Sequence, residues 1–248
     1  MKKNGNKLYF NKHHSKYLKR DWISLDECNL DDFIKFTKKH NEFVVKPIDE
    51  SCGKGVEKLK IDKNTNLEDL YNKLKASHQT LAEECINQNS EMSSLNPTSV
   101  NTVRIVTLKK DDGSIVILFI GLRIGNSNKS VDNFNNGGLF TVVSDDGIVR
   151  KPAVDKIGNV YTKHPATQKE IIGFKIPNFD KATSIAKECA KEMDGLRYIG
   201  FDVAITQEDA LIVEANPFPG HDLFQSEVHL ESDLKGLKPK FDKEIYGI

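Results

Sequence analysis

The chain has 248 residues, with 36 basic and 36 acidic side chains and 38% hydrophobic residues. A chain this long buries a large core in one or two structural units, and the composition is that of a soluble globular protein. Zero net charge supplies no basic excess for nucleic acid or an anionic membrane surface, and no apolar run approaches the roughly 20 residues of a membrane-spanning helix.

In chain order, the N-terminus MKKNGNKLYF carries charge but no apolar stretch behind it, so it does not read as a secretory signal. The next residues are basic and polar, with Lys12, Lys16, Lys19 and Arg20 spread through them. Leu30, Phe33 and Ile34 recur at helical spacing and predict a helix over 26–40. Phe43-Val44-Val45 predicts a short buried strand ending at Pro47, which cannot donate to a sheet ladder. A glycine turn at 51–56 leads to a strand near 56–61, a helix near 67–76 and a strand near 80–85. Residues 26–85 therefore read as a compact α+β unit.

The second half is rich in strands. Strands are expected around Val103–Val106 and Ile115–Ile124, with hairpin turns at Asp111-Asp112-Gly113 and Asp145-Asp146-Gly147. Ala182, Ile185, Ala186, Cys189, Ala190 and Met193 share one face of an amphipathic helix. Two strands follow, Ile199–Ile205 and Ala210–Ala215, joined by a polar turn, and the tail after Lys235 is polar and expected to be peripheral. Cys28, Cys52, Cys85 and Cys189 form no CxxC pair, so free thiols in a reducing cytoplasm are expected.

Three places carry candidate chemistry. Asp202 and Glu214 interrupt apolar strands, where a carboxylate is costly unless it is paired or holds a cation. Across a hairpin they can face each other, and with the carboxamide of Asn216 they form a hard oxygen set suited to Mg²⁺. A pair of strand-end acids bonded to backbone or arginine is the competing reading and stays open. Lys46 ends a buried strand, and Gly53 and Gly55 let backbone N–H groups approach phosphate, although the P-loop spacing is absent and an ordinary exposed turn is the alternative. Leu81-Ala82-Glu83-Glu84-Cys85-Ile86, with Gln88 and Glu91 beyond it, could meet an adenine edge and ribose, or simply run into a charged loop.

The order of these pieces resembles the ATP-grasp superfamily, in particular its sugar-transfer-associated branch found with bacterial surface-polysaccharide genes. The resemblance spans about Phe10 to Gln225 and rests on VVKP…GKGV at 44–56, EECINQNSEM at 83–92 and SVNTVRIVT at 99–107. It continues through LRIG…VDNFNNGG at 122–138, KHPAT at 163–167 and FDVAI…IVEANPFPGHDLFQ at 201–225. It implies an α+β ATP-grasp fold, two α+β subdomains clasping ATP between antiparallel sheets, with the N-terminal domain reduced or missing. The expected division is an N-terminal remnant over 1–25, a small lid subdomain over 26–85 and a large catalytic subdomain over 86–248.

By the same resemblance Lys46 contacts ATP phosphate, with Gly53 and Gly55 in the loop above it. A looser match gives Lys12 a second phosphate contact. Glu83, Glu84 and Ile86 match the adenine hinge, and Glu91 or Gln88 the ribose contact. Asp202, Glu214 and Asn216 match the Mg²⁺ ligands, and Gly220 the glycine whose backbone N–H stabilises an oxyanion. Many carboxylate–amine ligases place a catalytic arginine two residues before the first metal aspartate. Gly200 stands there, so that work falls to Arg104 or Arg123, each embedded in an apolar strand, with Arg–Asp pairing as the alternative. Asn133, Asn136, Gly137 and Gly138 suggest a loop near the reacting centre, and His164 an acid/base or substrate contact, against the alternatives of a plain Asn/Gly turn and a surface histidine.

The expected function is an ATP- and Mg²⁺-dependent carboxylate–amine ligase acting through an acyl phosphate, on a sugar acid and an amino acid or similar amine. The expected setting is cytoplasmic, without nucleic acid or a membrane span; a homo-oligomer is allowed. A phosphotransferase on the same fold, and a non-catalytic nucleotide-binding partner of a glycosyltransferase, are the competing readings.

Overall fold

The computed structural model describes residues 6–50, 53–126, 137–220, 226–231 and 233–247. It separates into two compact units, Met1–Ile86 and Asn87–Ile248. No helix among the described residues is long and apolar enough to cross a membrane.

The first unit contains α1 (Lys7–His13), α2 (Ser15–Leu18), β1 (Trp22–Ser24), α3 (Leu30–Lys39), β2 (Glu42–Lys46), β3 (Glu57–Lys60), α4 (Leu67–Ala76) and β4 (Leu81–Glu84). Residues 1–25 fall within this unit, because β1 pairs with β4 as the edge of a four-stranded antiparallel sheet of order β1-β4-β2-β3. Side-chain alternation divides the work of β2. Phe43 and Val45 join Phe33, Phe36, Leu74 and Ala82 in the core formed with α3 and α4, which places Val44 and Lys46 on the other face. Both long helices have strong start signals: the Asn29 side chain accepts from Asp32 N, and that of Asn66 from Glu68 N and Asp69 N. In α3, Asp31 and Asp32 sit in the first turn and Lys38 and Lys39 in the last, complementing the helix dipole.

The second unit contains α5 (Ser90–Leu95), β5 (Thr102–Lys109), β6 (Ile115–Ile124), β7 (Leu139–Val142), β8 (Ala153–Val154), β9 (Val160–Tyr161), α6 (Phe179–Glu192), β10 (Tyr198–Ile205), β11 (Ala210–Asn216) and α7 (Lys238–Tyr246). Its strands form a seven-stranded antiparallel sheet of order β11-β10-β5-β6-β7-β8-β9. The small apolar face of α6, Ala182, Ile185, Ala186, Cys189 and Ala190, is buried as the helix packs across β5, β6, β10 and β11. Phe201, Val203, Ile105 and Val103 are fully buried on one face of this sheet. Gly200, Asp202 and Ala204 alternate onto the other face.

That second face also carries an apolar cluster of Val106, Phe119 and Phe140, covered by Val142, Tyr198, Leu237 and Phe241. The polar tail after Lys235 is therefore partly structural: α7 stacks Phe241 edge-on against Tyr198, with ring centroids 6.4 Å apart. Gly121 is required here, since a Cβ on it would lie 2.3 Å from Phe140 Cζ.

Candidate functional site

A polar cluster of the second unit lies on one face of its central strands. Asp202 on β10 lies opposite Glu214 on β11 and opposite Arg104 on β5, and Gly200 lies opposite Asn216. Strand alternation then sets Asp202, Glu214, Asn216 and Arg104 on one face. Arg104 grips Asp202 bidentately, Nε to Oδ1 at 2.5 Å and Nη2 to Oδ2 at 2.9 Å, and Arg123 Nη1 donates to Oδ2 at 2.7 Å. Burial alone raises the carboxyl pKa, but the charges of Arg104 and Arg123 and their hydrogen bonds outweigh it and hold Asp202 below the usual carboxylate range.

The sequence departs from the ligase pattern at Gly200, and the structure supplies a local reason. A Cβ at Gly200 would lie 2.7 Å from Pro219 Cβ and 3.4 Å from Arg104 Cδ. The missing side chain leaves room for Pro219 and for the stem of Arg104 above the strand.

The donor set suits a hard divalent cation. Asp202 and Glu214 stand across one ladder step, and carboxylate oxygens are what Mg²⁺ takes. Both Asp202 oxygens, however, accept from Arg104 and Arg123, so the arginine–aspartate pairing of the competing reading is present and a cation would share those oxygens. The buried Nδ2 of Asn216 has no hydrogen-bond partner among the described residues. Turning that carboxamide over puts its oxygen in the same place, where a cation would satisfy it.

The first unit holds a second polar cluster, on the face of its sheet away from α3 and α4. The Glu83 carboxylate is buried. Its Oε2 accepts from Arg20 Nε at 3.0 Å and Nη2 at 2.9 Å and pairs with Lys46 Nζ at 2.8 Å, while Oε1 accepts from Asn11 Nδ2 at 2.9 Å. Burial opposes ionisation, but the Arg20 and Lys46 charges, with hydrogen bonds from Lys46 and Asn11, overcome it and lower the pKa to about 2. The turn following Lys46 uses two glycines at positive φ, Gly53 at 70° and Gly55 at 68°. A Cβ on Gly55 would also sit 2.7 Å from Pro47 Cγ, so only glycine fits there without strain.

The remaining expected residues scatter. Lys12 forms an exposed ion pair with Glu27 at 2.5 Å, and it is its neighbour Asn11 that is buried against Glu83. Glu84 accepts from Asp21 N at 3.0 Å, and Ile86 is half-buried at the end of the first unit. Glu91 is exposed in the first turn of α5, 3.3 Å from Lys169. Gln88 is consumed by the fold: its amide donates to Ser93 Oγ and Ser99 O and its oxygen accepts from Asn101 N. Gly137 is exposed with φ 94°, Gly138 is buried just before β7, and Gly220 is exposed beyond β11. Asn133 and Asn136 lie outside the described residues.

His164 requires a correction. It is fully buried, and both ring nitrogens are engaged by backbone: Nε2 with Gly125 O at 2.7 Å, and Nδ1 accepting from Thr167 N at 3.2 Å. Burial lowers its pKa against the opposing hydrogen bond to Gly125, favouring neutral imidazole. The ring ties the 163–167 turn to Gly125, whose own N–H donates to Asn101 Oδ1. Such a histidine orders loops; it is neither at the surface nor presented to a substrate.

Sequence reasoning missed Arg20 and Asn11. Asn11 had one local signal, its position beside the buried Phe10 on α1. Arg20 had none, because its partner lies 63 residues away.

The antiparallel sheets and the order of these elements define an ATP-grasp fold. Solved structures agree. An N5-carboxyaminoimidazole ribonucleotide synthetase in complex with ADP superposes with TM-score 0.55 at 12% identity, over 91% of this chain and 48% of the other. The corresponding Staphylococcus aureus enzyme with ADP gives 0.54 at 13%, over 88% and 46%. The ATP-grasp ligase PsnB, complexed with a minimal precursor, gives 0.52 at 12%, over 99% and 62%. The chain thus spans about half the length of the first two, and at these identities the likeness is one of fold. Within that fold, the chain belongs to the sugar-transfer associated ATP-grasp family, whose model matches residues 20–235. No curated protein matches the sequence.

Proposed function

We propose that the protein is an ATP- and Mg²⁺-dependent ligase that joins a carboxylate to an amine in cell-surface polysaccharide biosynthesis. The carrying observation is the opposition of Asp202 and Glu214 across β10 and β11, with Arg104 and Arg123 converging on Asp202. The family description supports an association with sugar transfer; the substrates we propose are a sugar acid and an amino acid or similar amine, in the cytoplasm.

Held by Asp202, Glu214 and Asn216, Mg²⁺ would neutralise phosphate charge. The chain's own groups do the positioning. Arg104 and Arg123 present fixed guanidinium donors beside the carboxylates, suited to a transferring phosphoryl group. Within the first unit, Lys46 is proposed for phosphate and Glu83, Glu84 and Ile86 for adenine. Gly220 N–H serves an oxyanion, while the turn at Gly53 and Gly55 excludes water. The γ-phosphoryl passes from ATP to a carboxylate oxygen, leaving ADP. The amine nitrogen then attacks the carbonyl carbon, the C–O bond to phosphate breaks, and the amine loses a proton to give an amide.

The test is a screen of ADP release across sugar acids, amino acids and their pairs. A ligase releases ADP and phosphate only with acid and amine together, and hydroxylamine traps its acyl phosphate. A stable phosphoproduct formed without amine would refute the ligase reading in favour of a kinase.

A further inference from the structure

The N-terminal segment of the first unit converges on a carboxylate that touches Lys46. Asn11 comes from α1 and Arg20 from the turn before β1, while Lys46 and Glu83 lie on neighbouring strands. Lys46 sits opposite Leu81 and Glu83 opposite Val44, so the two side chains are diagonal neighbours on one sheet face, within reach of a lysine stem. All three donors reach the Glu83 carboxylate at 2.8–3.0 Å.

We propose that Glu83 is a positioning residue: locked in place by Asn11 and Arg20, it holds the Lys46 ammonium oriented for a nucleotide phosphate. The proposal rests on the reading of Lys46 as a phosphate contact. A lysine head on four rotatable carbons loses rotamer freedom when it binds, and prior fixation by a carboxylate removes that cost from the binding step. Glu83 comes from β4, Arg20 from the turn before β1 and the neutral Asn11 from α1. Take Glu83 away and the Lys46 head loses the carboxylate that fixes it at 2.8 Å. The segment before β1 would in this way be a working part of the nucleotide site.

The test uses the full chain, with MgATP affinity measured by calorimetry at pH 7.5 and folding followed by thermal melting. Glu83→Gln should bind roughly tenfold or more weakly than wild type. Lys46→Gln should be weak, the double variant no weaker than Lys46→Gln, and Glu83→Asp should recover part of the lost affinity. Wild-type affinity for Glu83→Gln would overturn the proposal, and so would a double variant weaker than Lys46→Gln by the full Glu83→Gln factor. Should Glu83→Gln not fold, Asn11→Ala should weaken binding in the wild-type background and not in Lys46→Gln, and equal weakening in both overturns the proposal.

Acylation of Lys46, read by mass spectrometry without nucleotide, separates this idea from the functional reading. Protection in wild type and reactivity in Glu83→Gln at pH 7.5 support the clamp even if ATP does not bind. Equal reactivity in the two sinks it.

Discussion

The two units solve the same electrostatic problem with different parts. Each buries a carboxylate and neutralises it with two cations: Glu83 with Arg20 and Lys46 in the first, Asp202 with Arg104 and Arg123 in the second. The difference is a second acid. Asp202 has Glu214 directly across the ladder, with Asn216 two residues on, whereas the described partners of Glu83 are cations and a neutral amide. Glu214 and Asn216 add oxygens that a divalent ion takes beside the arginines held by Asp202, whereas Glu83, without a second acid among its described partners, holds its cations in place. The first cluster thus suits preorganisation and the second suits chemistry.

Several substitutions would break or sharpen that contrast. The largest stability effect should come from Glu83→Leu, which strands Arg20 and Lys46 and should cost about 3–5 kcal/mol in denaturant titration, the scale for removing one partner of a buried pair. Asp202→Asn should lower ADP release roughly 10²–10³-fold, the scale for losing one preorganised electrostatic group, with the first unit untouched. Gly200→Ala forces Pro219 and Arg104 off the strand and should cost about 1–3 kcal/mol by overpacking.

Acid separates folding from chemistry. Both carboxyls have folded pKa values below their ordinary ones, so their stabilisation is complete above the ordinary carboxylate values, 3.8 for Asp and 4.5 for Glu, and is lost as pH falls toward about 2 for Glu83. Thermal melts from pH 5 to 2 should show that loss, and Glu83→Leu should flatten the part due to the first unit. Smallest of all, Lys163→Ala breaks an exposed pair with Glu170 and should shift stability by less than about 1 kcal/mol.

Much of the fold was legible. The Phe43-Val44-Val45 strand, the alanine-rich stripe of α6 and the hairpin at 206–209 appear where periodicity and turn chemistry place them. The expected opposition of Asp202 and Glu214 is present in the register. The N-terminal helices and β1 escaped notice because their signals are short and polar, and β1 becomes a strand only by pairing with β4, some 60 residues later. His164 read as a surface or substrate histidine because nothing in KHPAT shows that Gly125 waits for its ring.

What the sequence determined by itself was local: periodicity, caps, glycine turns and the succession of elements that marks an ATP-grasp chain. These depend on backbone conformation and on neighbours within a few residues. Tertiary structure alone decided which cation meets which carboxylate, since Arg104 and Asp202 are 98 residues apart and Arg20 and Glu83 are 63. Such pairs exist only once strand order and register have set the faces of the sheets, and no stretch of sequence short enough to read locally encodes them.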